Sequence, residues 1–394
     1  MESASVAYIW LPVVLAVAAY RQFYSWRQLW FREKKMERVL LEIVLPKEIY
    51  KSPAAMEMVI ASMWYTTPGL PWNVWYEGSV RNWSSLEICS FGGEIHFYIW
   101  TNAKWQNSVE ANIYANYPEV EVFEAEDYTA KISYGLPGSP WKLWGGTYGL
   151  KAPDPYPLKT YIDYGLDKDP KEEYKIDPIT PVLEFLSQLT PDEQVWLQIP
   201  IMAAKADDGP PYVESKDKSW KAQAEAEISR LMRRDLKAPP ERDLSMQDLM
   251  TSPGERSTVE AIERSLDKKG FYTGFRVLYM FRMEKPIVPR FLALLGIYRS
   301  FDSQSSNNIG FKESTTYDQP WEDVTGLRAQ GMRQMYWEEY RKRMWFYPPF
   351  RRKAHVLTTE ELATIFHFPG TVSASPGLRR MGSKKGDAPT NLPI

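Results

Sequence analysis

The chain has 394 residues and a net charge of −2, so it is long enough for two domains and carries no global field that would gather nucleic acid. Hydrophobic residues make up 44% and aromatic residues 14%, with 16 Trp and 24 Tyr, which suits thick sheet–helix cores, a membrane-interface belt, or both. The single cysteine, Cys89, excludes a disulfide framework and a cysteine-built metal site.

No charge falls between Glu2 and Arg21. Val6, Ile9, Trp10, Leu11, Val13, Val14, Leu15 and Val17 make the run nearly all apolar, about the minimum for a membrane-spanning helix. Arg21, Trp26, Arg27, Trp30, Arg32, Lys34 and Lys35 follow, the basic-aromatic mixture of a cytoplasmic membrane interface. The positive charge lies after the apolar run, which argues against a cleaved signal peptide. The expectation for residues 1–35 is a single-pass helix with its N-terminus outside and the bulk of the chain in the cytoplasm. Arg21 to Lys35 can also be read as an amphipathic continuation lying on the surface.

Val39 to Leu45 reads as a strand, and Ser52-Pro53 as the cap and first residue of a helix with Met56, Val59, Ile60 and Met63 on one face. Leu86–Phe91 and Glu94–Trp100, rich in β-branched and aromatic residues, flank Gly92-Gly93, a two-residue hairpin signal. A helix capped by Thr101 or Asn102 and a strand through Val120 and Val122 follow. Trp72 to Tyr76 is a short strand or a loop. Residues 36–128 thus carry the order β-α-β-β-α-β, the split ferredoxin-like pattern.

Residues 129–157, rich in Gly and Pro, read as a connection. The same order then recurs in residues 158–320: a strand over Leu158–Leu166, a helix from Thr180-Pro181, strands over Val195–Met202 and Thr273–Phe281, a helix from Pro289 and a short strand at Asn308–Phe311. An insertion over residues 205–270 holds two charged helices, read as a solvated arm or, through Ala222, Ile228, Leu231 and Met232, as a partner-docking hairpin. The fold class expected is α+β, with two ferredoxin-like domains behind a transmembrane helix, then a region of C-terminal helices over residues 321–394 that runs out into an extended tail. That region opens with a charge-laced helix, Met335 to Trp345, carries capping-box spacing at Thr358-Thr359-Glu360-Glu361, and ends in a basic, Ser-, Gly- and Pro-rich tail.

Motifs of chemistry are scarce. There is no phosphate-cradling glycine loop, no H-E-x-x-H and no G-x-S-x-G. His96, His355 and His367 are far apart in sequence, His96 inside a strand pattern. The acids around Glu119 to Asp127 alternate as on a solvated strand face. No catalytic, cofactor-binding or metal-ligating set is expected.

The runs Trp83–Trp100, Val109–Val122 and Asp177–Ile199 resemble a family of uncharacterised single-span membrane proteins of candidate-phyla bacteria. These in turn resemble the N-terminal, membrane-proximal region of conjugative coupling ATPases of type IV secretion (TraG/TraD-like). Ile365–Pro369 and Ala388–Pro393 are similar to the linker that leads into the motor of such ATPases. The motor itself has no counterpart in these 394 residues. The resemblance implies a non-catalytic, bacterial inner-membrane subunit of a DNA or protein translocation machine, docking an ATPase supplied as a separate chain. Phe366, His367, Phe368, Arg379, Arg380, Lys384, Lys385 and Asn391 would be its contact. The alternative is a membrane-tethered binder of single-stranded nucleic acid, with aromatics stacking bases and the basic tail following phosphates.

Overall fold

The computed structural model describes residues 2–46, 49, 51–132, 134–135, 138–167, 176–205, 219–232, 252–282, 287–303, 306–316, 319, 321–370 and 377–380, with side chains from residue 10 onward. A long helix α1 (Glu2–Lys34) leads into an α+β body built on one antiparallel sheet.

The first half runs β1 (Arg38–Val44), α2 (Pro53–Ser62), β2 (Ser84–Phe91), β3 (Glu94–Asn102), α3 (Gln106–Asn116) and β4 (Glu121–Ala125). Its sheet order is β4-β1-β3-β2. The β2–β3 turn is made by Gly92 and Gly93 at φ +63° and +93°, the region a two-residue primed hairpin needs and glycine enters without penalty. Ser52 caps α2, its hydroxyl accepting from the Ala54 amide, with Pro53 at the first helical position.

The second half runs β5 (Lys142–Leu150), α4 (Thr180–Ser187), β6 (Glu193–Ala203), β8 (Phe275–Phe281), α7 (Val288–Leu295) and β9 (Ile309–Ser314). Its order, β9-β5-β8-β6, repeats the first half's arrangement of fourth, first, third and second strand. Two sequence expectations are corrected here. The Gly-rich stretch after residue 129 is no mere connection, because residues 142–150 form the first strand of this half. Leu158–Leu166, expected as that strand, is a series of turns with Leu158 and Tyr161 buried. Thr180 and Pro181 open α4, where the sequence places its start.

The two halves share one sheet because their second strands pair antiparallel, from Ser84 opposite Ile201 to Phe91 opposite Gln194. A small side ladder, β7 (Gly270–Thr273) with β10 (His355–Thr358), hangs on the end of β6. The insertion between β6 and β7 contributes α5 (Trp220–Leu231) and α6 (Pro253–Leu266). Ala224 and Ile228 are buried against Val259 and Ile262, so the face expected to dock a partner is turned inward at Ile228.

One face of the sheet is covered by α2, α3, α4, α7 and α9 (Thr359–Ile365). Leu86, Ile88, Phe97, Ile99, Leu197 and Val277 meet Met56, Val59, Ile113, Leu183 and Leu362 there. The other face is covered by α8 (Leu327–Arg341) and the strap that follows it, with Tyr336, Trp337, Tyr340, Trp345 and Phe346 over Trp100, Trp196 and Leu278. Residues 321–370 thus belong to the body, with α8 and its strap over one face of the sheet and α9 over the other.

Thr358 caps α9, and the capping box expected from the sequence closes through Glu361. The Glu361 carboxylate accepts from the amides of Thr358 and Leu158, at 2.8 and 2.9 Å. Burial nevertheless pushes its pKa from the ordinary 4.5 to about 7. The unfolded chain releases this proton at lower pH than the folded chain. The stability present below about pH 4.5 should therefore fall as pH rises through about 7, by at most about 3 kcal/mol. Urea midpoints at about pH 5 and pH 8 should show this drop in the native chain and a smaller one in Glu361→Gln.

Candidate functional site

Three features stand out: a charged cluster buried at the seam between the halves, a cavity beside it, and the collar at the base of α1.

The cluster lies under α8 where β2 meets β6. Glu87 is fully buried, as is Arg343. The Arg343 guanidinium forks onto both Glu87 oxygens, at 3.1 and 3.3 Å, and also pairs with Asp127. Tyr128 donates to Glu87 at 2.7 Å, Ser85 at 2.8 Å and the Gln198 amide at 3.0 Å. Gln198 in turn accepts from Arg276, which pairs with the buried Glu339 at 3.3 Å. Arg352 closes the chain on Glu339 at 2.7 Å. Burial works against the charge on Arg343, but Glu87, Tyr128 and Asp127 more than offset it and hold the guanidinium ionised. Arg343 sits at φ +49°, the one non-glycine residue with positive φ among the described residues. It occupies the position just past a helix end where glycine is usual, and its side chain is what the site needs there. The cluster is packed shut, and its chemistry is that of a clamp: β2 and β6 gripped together by the residues that follow α8.

The cavity, of about 390 Å³, opens on the same face and is lined by Glu42, Phe91, His96, Tyr98, Gln194 and Arg282 among others. Glu42 holds His96 at 2.7 Å and Arg379 at 2.7 Å. Burial raises the Glu42 pKa, but those two partners outweigh it and keep the carboxyl below its usual range. His96 is stacked on Tyr98 and edged by Phe91, so it is fixed as a structural histidine. Among the described residues, no group of three His, Cys, Asp or Glu side chains is placed to hold a metal ion.

Several of the residues expected to contact a motor also make contacts within the chain. Phe366 and Phe368 are buried against Phe97, and His367 is held by Asp177 at 3.0 Å. Residues 377–380 lie as a short parallel ladder on the sheet: Gly377 accepts from the Ile95 amide and the Arg379 amide donates back to Ile95. Arg379 binds Glu42, and Arg380 pairs in the ladder with Leu45. Phe366, His367 and Phe368 are thus buried in the chain's own core, whereas the Arg379 side chain stays about half exposed beside Glu42. Lys384, Lys385 and Asn391 lie outside the described residues.

The basic and aromatic stretch at the base of α1 divides between side chains that contact the body and side chains that stay exposed. Trp10, Leu11, Val13, Val14, Leu15 and Val17 are each at least half exposed. The side chains of Val6 and Ile9 lie outside the described ones. Among the described residues, no helix is long and apolar enough to cross a membrane. Arg32 is buried, donates to the Pro348 carbonyl and lies over the Tyr347 ring; burial lowers its pKa to about 10. Lys35 pairs with Glu77 at 3.1 Å, Arg27 packs over Trp30, and Trp26 is exposed. Lys34 is exposed, and Arg21 marks the end of the uncharged run.

The seam cluster carried only faint sequence signals. Glu87 is a lone charge in an otherwise uncharged strand, and Asp127 closes an acidic stretch that reads as solvated. Nothing local marks Arg343 in a helix laced with charge.

A family model described as a domain of unknown function, DUF8128, matches residues 23–376. No curated protein matches the chain.

Proposed function

The chain belongs to the DUF8128 family, and we propose that it is a membrane-tethered, non-catalytic scaffold subunit of a type IV secretion-like translocation machine, docking an ATPase supplied as a separate chain. The observation that carries the tether is the exposure of α1. Its residues from Trp10 to Val17 are apolar on every side and exposed, so the described body leaves them uncovered. A helix apolar all round belongs in a protein core or in lipid. Tyr24, Arg27, Arg32 and Lys35 just below it contact the body, which ties the base of the tether to the platform. We read α1 as a single-pass anchor of the bacterial inner membrane, with the N-terminus outside and the body in the cytoplasm. The order β-α-β-β-α-β in each half, with strand order 4-1-3-2, supports two ferredoxin-like units fused edge to edge. The partnership with an ATPase rests on the resemblance to the membrane-proximal part of coupling ATPases.

The nucleic-acid reading loses its platform. Base stacking on a ferredoxin-like sheet needs an open aromatic face, and β2, β3, β6 and β8 are buried on both faces.

The test is fractionation of the full chain from its native membrane, followed by mild-detergent purification. The chain should resist an alkaline wash, and Val14→Lys with Leu15→Glu should move it to the supernatant. A Walker-type ATPase should co-purify. A chain that washes off would sink the anchor. A preparation that brings no ATPase but keeps single-stranded nucleic acid through moderate salt would replace the scaffold with the direct binder.

A further inference from the structure

We propose that the loop around Asn73–Glu77 is a second membrane contact, which rests its aromatic side chains in the lipid headgroup region beside α1 and so fixes how the body is held against the bilayer. This rests on the reading of α1 as a tether.

The loop is unlike the rest of the surface. Leu70, Trp72, Trp75 and Tyr76 are 71%, 66%, 64% and 60% exposed, four large apolar or amphipathic side chains within seven residues. A single π-helical turn, Asn73–Glu77, carries Trp75 and Tyr76, with Leu70 and Trp72 just before it, and Trp72 and Tyr76 stack on each other with ring centres 4.5 Å apart. Inward, Trp75 meets Tyr24 and Tyr76 meets Arg27, yet most of each side chain's surface stays uncovered by the described body. Exposed clusters of this kind mark an interaction surface.

The loop's position chooses the occupant. Arg27 of α1 donates to the Tyr76 carbonyl at 3.1 Å, Tyr24 packs on Trp75 at 5.8 Å, and Lys35 pairs with Glu77. The loop is thus fastened to the stretch of α1 that follows its apolar run. Tyr20, Phe23 and Trp26 on that stretch are exposed as well. From Tyr20 to Arg27 the helix climbs only about 10 Å. The loop's aromatics therefore lie at the level where the apolar run ends. Trp and Tyr favour that level of a bilayer, where one end of the ring is wet and the other dry. Lys35 and Glu77 offset each other, while Arg21, Arg27 and Lys34 leave positive charge along the same stretch of α1, which suits an anionic lipid surface. A protein partner would gain nothing from this match to the depth of the helix.

The experiment uses the full chain in vesicles of phosphatidylcholine with a minor share of phosphatidylglycerol. Cys89 is fully buried and burial raises its thiol pKa, so it does not compete for label. An environment-sensitive dye is attached at Trp75→Cys, at Leu15→Cys, or at Trp321→Cys as a distant exposed control. Bromines are placed near the headgroup end or the methyl end of the lipid chains. The Trp75→Cys dye should be quenched more by the shallow bromines than by the deep ones, consistent with burial of about 5–10 Å. The Leu15→Cys dye should be quenched by the deep bromines, and the Trp321→Cys dye by neither. If Leu15→Cys is quenched and Trp75→Cys remains water-like, the loop proposal fails while the tether stands. If neither is quenched, the tether reading fails and takes the loop with it. If the Trp75→Cys dye is shielded without vesicles, in proportion to protein concentration, the occupant is a second copy and the lipid assignment is overturned.

Discussion

Arg343→Met is expected to lower the stability of the folded chain by about 3–5 kcal/mol, the cost of leaving a buried charge without its partner. Glu87 is fully buried and would keep Tyr128, Ser85 and Gln198 as donors but lose the one cation paired with it among the described residues. Asp127 is partly exposed and can turn to water, so the loss concentrates on Glu87. The double replacement Arg343→Met with Glu87→Leu should recover most of the stability, because it removes both charges together. Urea unfolding followed by tryptophan fluorescence measures all three chains. A single mutant within about 1 kcal/mol of the native chain would mean that the ion pair is solvated and the clamp is only geometric. Arg343→Gly is informative in another way. It relieves the positive φ yet removes the guanidinium, and it should be destabilising as well.

Trp345→Ala should cost about 3–5 kcal/mol by emptying a well-filled site. The indole is 2% exposed, donates to the Lys353 carbonyl at 3.1 Å and lies under the Arg276 guanidinium. It also lies flat against the backbone at Gly274, where a Cβ would come within 2.1 Å of the ring. Gly274→Ala therefore attacks the same contact from the sheet side. The ring cannot yield without leaving Arg276, so the strap should lift from β8. The two replacements should be strongly non-additive: in a chain that already lacks the indole, Gly274→Ala should cost little. Equal costs in both backgrounds would show that Gly274 is required by the sheet alone.

The first half was legible because its signals are local. Gly92-Gly93 between two apolar runs and Ser52-Pro53 before an apolar stripe each determine an element within a few residues. The strand β5 was hidden by its own glycines. Gly145 and Gly149 look like turn residues, but each leaves room for a side chain from elsewhere, Tyr336 and His355. The C-terminal region misled for a related reason. Its aromatics and arginines are as compatible with an outside partner as with the chain's own sheet, and only the long-range pairings of Arg343 with Glu87 and of Phe366 with Phe97 decide between them. The capping box at Thr358 was readable, whereas the full burial that raises the Glu361 pKa, and the Leu158 amide that partly offsets it from two hundred residues away, have no local signal.

The pairing of β2 with β6 has a consequence for how the molecule can be divided. Cut between the halves, each piece would present its second strand bare, with a row of unpaired amides and carbonyls flanked by apolar side chains from both faces. Such an edge is a template for adding another strand. The fragment ending near residue 132 would find its natural complement only in the other fragment or in a copy of itself. Separately produced halves should therefore recombine when mixed and self-associate when kept apart, and the single polypeptide secures by covalent linkage what would otherwise depend on concentration.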